Sequence, residues 1–437
     1  EMDRRLPVDE ADLFDDEPGV AMPRDLRRHG SSRINIRGIE DNRVQMLVDG
    51  VRLPDYRNGG GPTNHTVNTP LQPDAEFLKR VEVLRGPASS LYGSDALGGV
   101  VGFLTLDPSD LLKQDDRFSV RYRPSWFGVD GSVSNAVFVS GRGETVEGLV
   151  GVMYRTGHER GNQGDLDVTS VGRTAPNPQE YRHKGLLAKV GMKSSADQKL
   201  MLTLEGGDQD TFTDVRRLST SLPKVTDMEA DDAGERARVS LDWEHKPGGS
   251  WYDRLNARLY HQRSETRNRT RQRRTNTSAS CSAASGTGNN CYVELDYDLA
   301  QDLTGAGMQA QTGLAALGAE HLLTFGVDLA RTETEEKRDG RVWNLTTGTF
   351  TKSLAGEIFP LRDFPPGYQD SLGLFIQDET AIGRLTLVPG LRYDSIRLNA
   401  EPDSLTFQHA GRPPVDKDES AFSPKLAARW QLTPATS

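Results

Sequence analysis

From Arg117 onward, the chain is a succession of segments in which apolar and polar side chains alternate. In the clearest segment, 236–243, the alternation separates two faces. One face carries Ala237, Val239, Leu241 and Trp243, and the other carries Arg236, Arg238, Ser240 and Asp242. A period of two predicts β-strands, and about twelve such segments come near the roughly 9–11 residues that cross a bilayer. Because charges facing lipid are costly, the second face has to meet water, and the pattern predicts an antiparallel transmembrane β-barrel.

Short and long connections alternate between these segments. Short turns are predicted near 143–146, 195–198, 247–250, 317–320 and 381–383, and long polar loops near 158–180, 216–231, 267–291, 338–366 and 399–418. This asymmetry is typical of outer-membrane barrels, whose turns face the periplasm and whose loops face outside. The alternative is a soluble all-β sandwich, which would not combine strands of this length with long loops at one end only.

The beginning of the chain lacks the long alternating segments and predicts a separate mixed α+β domain over 1–113. The barrel is assigned to 114–437. Its centre is 80–105, which is predicted to form a short strand, a sharp turn, one helical turn and a second strand. Gly86-Pro87 ends the first of these strands because proline cannot donate to a sheet. A loop rich in proline and glycine at 53–74 has no periodicity.

Upstream of this centre, the pattern predicts further short elements. An acidic helix is predicted at 6–18, and strands are predicted at 32–37 and 44–48. Asp49-Gly50, directly after the second strand, is a hairpin turn signal. The first domain is therefore expected to contain a small sheet with little helix.

The size of this domain limits the barrel that can hold it. A domain of about 100 residues has a diameter of roughly 34 Å as a sphere. About twelve strands close into a barrel only ~25 Å across, whereas barrels that enclose a folded domain have about 22 strands. We therefore expect about 22 strands in the full protein, with about ten of them beyond Ser437.

Composition excludes several function classes. Lys and Arg number 53 against 63 Asp and Glu, so the net charge of −10 argues against nucleic acid as a partner. The mean hydropathy is −0.60, and no run of about 18 apolar residues predicts a transmembrane helix. The segment 80–105 contains no nucleophile–base pair and no phosphate-binding loop, and the sequence predicts no enzyme and no catalytic cofactor.

Three blocks in the first domain resemble a known family. RVEVLRGPASSLYGSDALGGVV at 80–101 is similar to the plug-domain signature of TonB-dependent outer-membrane receptors. INIRGI at 34–39 and VDGV at 48–51 resemble that plug's two earlier blocks. The sequence NRVQMLVDGVRLP at 42–54 is most similar to that of the haem and haemoglobin receptor branch. No N-terminal TonB box is recognisable after Glu1, and we expect the chain to be part of a longer protein.

The resemblance implies a plug inside a barrel in the bacterial outer membrane. It further implies energy-coupled uptake of haem, taken from haemoglobin or other haemoproteins, with TonB and its inner-membrane energising complex as partners. Haem is then the transported substrate. One alternative keeps the transporter and makes the cargo a ferric siderophore, and another is a surface haemoprotein-binding protein that does not transport.

The family places a haem-ligating histidine in the plug's outward loop. By that match His65, in NGGGPTNHTVNT, is the axial ligand candidate, since imidazole binds haem iron. The plainer interpretation is a solvated loop histidine. Tyr56 in the same loop is a weaker ligand candidate. The family's second ligand lies between two motifs, FRAP and NPNL, that this chain lacks, and we expect it beyond Ser437.

Arginines of the family's plug pair with carboxylates on the inner barrel wall. By resemblance, Arg37 and Arg85 are the candidates for such ionic contacts. Inward-facing Glu205, Asp242 and Asp328 are possible partners, and the sequence does not choose among them. The plainer interpretation is ordinary solvated charge in the barrel lumen.

The two cysteines, Cys281 and Cys291, lie in one predicted polar loop. An oxidising cell surface favours a disulfide between them, and no nearby histidine completes a metal site, so no metal is expected beyond haem iron. A basic run, RNRTRQRR at 267–274, could meet lipopolysaccharide phosphates or a protein partner, or remain a solvated loop. Outer-membrane lipid and lipopolysaccharide are thus further expected partners.

Overall fold

The structure is a computed structural model. It describes residues 7–25, 27–31, 33–55, 73–93, 96–218, 225–275, 290–354, 356–406 and 414–432. Within these residues the chain forms a small first domain and one large antiparallel sheet, which we call the wall. The first domain lies against the inner face of the wall, where the two share hydrogen bonds and ion pairs.

The first domain is built from short elements. Its strands are β1 (Val20–Ala21), β2 (Arg24–Asp25), β3 (Gly30–Ser31), β4 (Asn35–Ile36), β5 (Val44–Val48), β6 (Val51–Arg52), β7 (Leu78–Arg85) and β8 (Gly99–Thr105). Its helical turns are 3-10 turns at Glu10–Leu13, Asp41–Arg43, Ala75–Phe77 and Pro108–Asp110 and one α-helical turn, α1, at Ser89–Tyr92. The acidic helix predicted at 6–18 is thus only a 3-10 turn, capped by the Asp9 side chain.

Among the described residues, every helix is too short and too polar to cross a membrane.

The central sheet of the first domain has the order β6-β5-β8-β7. β5 and β8 run parallel, and the other neighbours are antiparallel. Its buried core includes Phe14, Ile36, Val48, Val101 and Phe103. At Gly99 the backbone has φ of +148°, and a Cβ there would collide with the carbonyl oxygen of Leu84, which explains glycine at the start of β8.

The wall follows in chain order. Its strands are β9 (Phe118–Phe127), β10 (Ser132–Arg142), β11 (Val146–His158), β12 (Gln179–Ser195), β13 (Gln198–Asp214), β14 (Val225–His245), β15 (Arg254–Arg274), β16 (Cys291–Ala316), β17 (Ala319–Asn344), β18 (Phe350–Thr351), β21 (Gly367–Ile382), β22 (Leu385–Ala400) and β23 (Lys417–Trp430). A separate small hairpin pairs β19 (Ser353–Leu354) with β20 (Glu357–Ile358). In the described residues no pairing joins β9 to β23, so this sheet is open rather than a closed barrel.

The alternating pattern explains the two faces of the wall. In β14, Val239 and Leu241 are exposed on the outer face, whereas Arg238 and Ser240 are buried on the inner face. The strands extend past the length predicted from a bilayer, reaching 26 residues in β16 and in β17. The basic run at 267–274, predicted to be a loop, is the end of β15.

Candidate functional site

Both haem-ligand candidates lie outside the described residues, which stop at Asp55 and resume at Pro73. The roles of His65 and Tyr56 therefore stay predictions. Cys281 also lies outside the described residues, while Cys291 begins β16 fully buried beside Val293 and Leu354. The disulfide likewise stays a prediction.

Asp74 lies just after this gap in the described residues. Its carboxylate accepts a 2.6 Å hydrogen bond from the Glu76 amide and thereby caps the 3-10 turn Ala75–Phe77. On the wall side it lies 3.3 Å from Nδ1 of His183 in β12. Burial raises the pKa of Asp74 to about 6, against the lowering effect of the Glu76 amide and of Arg155 and Arg123. Asp74 thus makes a buried, titratable contact with the wall.

A cavity of about 240 Å³ surrounds this contact, between the first domain and the strands at their long-connection end. We call it the upper cavity. Its lining includes Glu10, Arg28, His29, Arg155, Tyr181 and His183. Both acidic and basic groups line it, and several form ion pairs, as Arg155 does with Asp130 at 3.0 Å. The described part of the chain holds no group of three or more metal-ligating side chains here or elsewhere.

Arg28 makes the first strong bond from the first domain to the wall. Its Nε and Nη2 each donate to one carboxylate oxygen of Asp232 in β14 at 2.7 Å. Its Nη1 donates to Oγ1 of Thr270 in β15 at 2.9 Å. Only 4% of the Arg28 side chain is exposed. Such a bidentate, charge-assisted pair fixes orientation as well as supplying energy.

Asp49 makes the second bond and depends on the predicted hairpin turn. Val48 pairs with Val51 across it, and Asp49 and Gly50 adopt φ of +47° and +83°, as an Asp-Gly turn requires. A Cβ at Gly50 would collide with the Arg258 guanidinium of the wall. The turn therefore presents Asp49 directly to the inner wall.

The carboxylate of Asp49 lies between two wall cations. Nη2 of Arg238 in β14 is 2.9 Å from Oδ2, and Nζ of Lys189 in β12 is 3.7 Å from it. Nη1 of Arg238 also donates to the carbonyl of Val48 at 2.7 Å. Burial alone would raise the pKa of Asp49, but the two cations and the hydrogen bonds from Thr105 together lower it far below its usual value. Asp49 is therefore ionised and firmly held.

Further ion pairs cross the interface, including those of Arg160 with Asp9 at 3.2 Å and with Asp12 at 3.1 Å. Nζ of Lys189 lies 2.8 Å from Oδ1 of Asp107, and Lys79 of the first domain pairs with the same carboxylate. Nη1 of Arg123 in β9 lies 2.8 Å from Oε2 of Glu76. Apart from Arg28, the first domain thus supplies carboxylates and the wall supplies cations.

Arg37 and Arg85, which the resemblance assigns to this interface, contact residues of their own domain in this structure. Arg85 pairs with Glu17 of its own domain at 2.5 Å, and Arg37 is exposed at a positive φ of 52° beside Gly19. Within the described residues no bond joins either side chain to the wall. The ionic contacts of Arg37 and Arg85 with the wall stay predictions.

The three candidate wall carboxylates pair with wall arginines instead. Glu205 binds Arg236 and Arg238, Asp242 binds Arg258, and Asp328 binds Arg392.

Sequence reasoning missed Arg28, Asp49, Lys189 and Arg238. The alternation does mark Arg238 as inward-facing, and the Asp-Gly turn marks Asp49 as the tip of a hairpin. Their contact joins positions far apart in the chain, and local pattern carries no signal for it.

A second cavity of about 670 Å³ runs between the first domain and β12–β22. It reaches from Pro54 and Asp55, the last described residues before the gap, to Lys199 and Glu244 near the short turns. Buried polar atoms face it without a hydrogen-bond partner, namely Oε1 of Gln45, both amide atoms of Gln301 and Oδ2 of Asp394. Because unsatisfied buried polar groups are costly, a cavity with such a lining is suited to water or a polar ligand.

Two family models match the chain. Residues 1–100 match the TonB-dependent receptor plug domain, and residues 192–437 match the TonB-dependent receptor-like beta-barrel.

Curated relatives of this chain include receptors for haem proteins. A hemin receptor of Yersinia enterocolitica is 26% identical over 393 residues, covering 89% of this chain and 48% of the relative. A probable hemoglobin and hemoglobin-haptoglobin-binding protein of Haemophilus influenzae is 28% identical over 290 residues, covering 61% and 28%. The chain therefore spans at most about half the length of these relatives.

Solved structures share the fold. The hemophore receptor HasR of Serratia marcescens, in complex with its hemophore and heme, superposes with a TM-score of 0.68 at 20% identity, covering 98% of this chain and 59% of that one. The FrpB iron transporter of Neisseria meningitidis gives 0.67 at 19%, covering 98% and 60%. At this identity the likeness concerns the fold alone.

Proposed function

Because the chain belongs to the TonB-dependent receptor family of the Gram-negative outer membrane, we propose that it takes up haem across that membrane. Outer loops capture haem or a haemoprotein, the first domain closes the barrel as its plug, and TonB with its inner-membrane complex pulls on the plug so that the cargo passes. The observation that carries the choice of cargo is the similarity over 89% of the chain to a hemin receptor.

The ligand of haem iron in this proposal is His65, with Tyr56 as a weaker candidate. Of the described residues on either side of residues 56–72, Asp55 lines the second cavity and Asp74 lines the upper cavity. Neutral imidazole is a common axial ligand of haem iron. A second histidine beyond Ser437 would share the iron.

The ionic interface is proposed to hold the plug until TonB acts. Buried ion pairs add little net stability compared with apolar packing, yet they specify register, because losing one partner leaves a charge unpaired. Arg28–Asp232 and Asp49–Arg238 would set the resting position of the plug, and both pairs would have to break when it moves.

The complete protein is proposed to comprise a plug at 1–113 and a barrel that starts at 114. Further strands would close this barrel. About 22 strands would enclose a plug of this size, and the unpaired edges of β9 and β23 support additional strands between them. Lipid would meet the outer apolar face, and lipopolysaccharide would meet the charged ends of the long strands.

The cysteine pair is proposed to form a disulfide. Complete burial of Cys291 at the start of β16 agrees with a cross-link to Cys281. Alkylation of the unfolded protein should label no cysteine before reduction and both after it. Labelling of both before reduction would refute the disulfide.

A ferric-siderophore receptor is the second candidate. The siderophore receptor PiuA of Acinetobacter baumannii superposes with a TM-score of 0.59, covering 97% of this chain and 60% of that one. Growth on the ferric siderophore but not on haem would select this candidate. A surface haemoprotein-binding protein without transport would bind haem yet support no growth on it.

The test of the proposal is growth on haem as the sole iron source, in cells whose only haem receptor is this protein. Replacing His65 with alanine should abolish or strongly reduce growth, because the iron loses its ligand. The matched control is His261→Ala, since His261 is a half-exposed histidine of β15 that bonds Thr304. Normal growth of the His65→Ala strain would remove His65 from the mechanism.

A further inference from the structure

Phe77 of the first domain fits into a socket of the wall. Its side chain is fully buried, and its ring lies edge-on to that of Phe138 in β10, with the two ring centroids 6.0 Å apart. A Cβ at Gly185 in β12 would lie only 2.6 Å from a carbon of the Phe77 ring, and one at Gly151 in β11 would lie 3.4 Å from another. The two glycines therefore leave the space that the ring occupies.

An apolar cluster surrounds this socket. Leu106 and Leu111 of the first domain join Phe77 there. The wall contributes buried side chains from β10, β11 and β12, namely Ala136, Phe138, Leu149, Met153 and Leu187. Moving the first domain away from these three strands would expose the whole cluster to water, which is costly because the hydrophobic effect is proportional to the apolar area exposed.

The contact of the first domain with the later strands is polar and incomplete. α1 lies beside β21 and β22, where Nη1 of Arg392 donates to the carbonyl of Leu91 at 3.1 Å. Among the described residues, no hydrogen bond reaches the buried Oγ of Ser90 or Oδ2 of Asp394. The second cavity runs along this side, and both amide atoms of Gln301 face it without a partner. Water can enter here and satisfy these groups when the two surfaces separate.

We propose that Phe77 is the pivot of the plug, so that TonB turns the plug about this socket and cargo passes through the second cavity on the α1 side. This inference rests on the proposed function. Separation at the socket exposes apolar surface, whereas separation at α1 hydrates polar groups that lack partners. The plug therefore stays attached to β10–β12 while its α1 side opens.

The second cavity is long enough for such a passage. Along β16 its lining runs from Gln301 to Gln309, which is roughly 26 Å of strand at about 3.3 Å per residue. This length covers most of the apolar band of an outer-membrane barrel, which is about 25 Å tall, for strands tilted by roughly 40°.

The first test locks the side that is expected to open. A Cβ at Gly390 of β22 would lie 3.5 Å from the Cβ of Ser90, within the roughly 3.5–4.5 Å that a disulfide requires. The variant Ser90→Cys with Gly390→Cys, once oxidised, should accumulate no more iron-labelled haem than cells without TonB, and reduction should restore accumulation. Parent cells given the same oxidant and reductant are the control.

The matched variant locks the socket instead. Glu76→Cys with Arg123→Cys replaces an ion pair of 2.8 Å directly beside Phe77. Joined by a short thiol-to-thiol cross-linker, it should accumulate haem as its uncross-linked form does, because the socket does not open. Accumulation that survives the α1 lock, or that the socket lock abolishes, would overturn the pivot.

Amide hydrogen exchange of the purified protein tests the pivot without cargo. In the parent, residues 88–92 should exchange faster than residues 75–78 and 106–111. Gly185→Ala should displace the Phe77 ring from its socket and accelerate exchange at 75–78. Equal protection of 88–92 and 75–78 in the parent, or parental exchange in Gly185→Ala, would overturn the pivot.

The control for this substitution is Gly191→Ala, on the same strand. Its Cβ would meet the side chains of Glu147 and Met201, which can move aside, and its exchange at 75–78 should equal that of the parent. Acceleration there equal to that in Gly185→Ala would also overturn the pivot. If the parent accumulates no haem, the proposed transport fails, while the exchange comparison still decides the pivot.

Discussion

Asp49 illustrates how one residue couples local structure to the interface between domains. The Asp-Gly turn that the sequence predicts also places this carboxylate 2.9 Å from Arg238 and 3.7 Å from Lys189. The turn could be predicted because its cause is local: Gly50 adopts a positive φ. The partners could not, because three-dimensional neighbours in β12 and β14 leave no mark on the sequence around Asp49.

Replacing Asp49 with asparagine should loosen the plug. The variant keeps the turn but removes one carboxylate from Arg238 and Lys189, which keep only Glu205 and Asp107 as their partners. Breaking a buried ion pair costs up to about 3–5 kcal/mol. The urea concentration at which residues 1–113 become accessible to protease should fall. Asp115→Asn, at an exposed position in the linker, is the control and should behave as the parent. An unchanged midpoint for Asp49→Asn would show that the pair does not hold the plug.

Asp74 predicts a pH dependence. Its usual pKa is 3.8, and burial raises this pKa to about 6. At a pH between these two values, the folded protein therefore keeps a proton on Asp74 that the unfolded chain has lost. Stability therefore falls as pH rises from about 4 to about 6 and stays lower above it. Burial likewise raises the pKa of Glu10 and Glu76, and both act in the same direction.

The variant Asp74→Asn should remove the cost of ionising Asp74. It should unfold at a higher temperature than the parent at pH 7.5, by an amount equivalent to roughly 1–3 kcal/mol, because asparagine can still cap the 3-10 turn. The difference should shrink towards zero near pH 4. A constant difference across this range would mean that Asp74 is not the titrating group.

At the scale of the element, cross-strand ion pairs explain why strands such as β16 and β17 are longer than the roughly 9–11 residues that cross a bilayer. Nε of Arg267 lies 3.0 Å from Asp298 and Nε of Arg269 lies 2.9 Å from Asp296, both across the β15–β16 pair. Arg271 pairs with Asp231 of β14. A basic run read alone predicts a loop, because the acidic residues that neutralise it belong to neighbouring strands. Alternation elsewhere, as in β14, was sufficient to predict the strand and its faces.

Reversing one charge of this ladder should fray the end of β15. Arg269→Glu places two carboxylates opposite each other, and like charges across a strand pair are destabilising. Amide hydrogen exchange over 265–274 should accelerate, although each exposed pair contributes only about 0–1 kcal/mol. Combining it with Asp296→Arg restores the opposite signs across the β15–β16 pair and should recover part of the slow exchange, because Asp231 of β14 still faces position 269. Failure of the double variant to recover would show that the ion pairs do not order this segment.

At the scale of the molecule, the resemblance in 34–39, 48–51 and 80–101 predicted the plug and wall, and the family matches confirm it. What the sequence could not supply is the contact surface between them. The reason is physical: strand alternation is a local property of the sequence, whereas the pairing of a plug side chain with a wall side chain depends on how the whole first domain lies against the wall.

The central claim is that this receptor moves haem under the control of TonB. The most direct measurement is accumulation of iron-labelled haem by cells whose only haem receptor is this protein, compared with and without TonB. The account predicts accumulation with TonB and only surface binding without it. Equal accumulation in both strains, or accumulation of a ferric siderophore and not of haem, would contradict it.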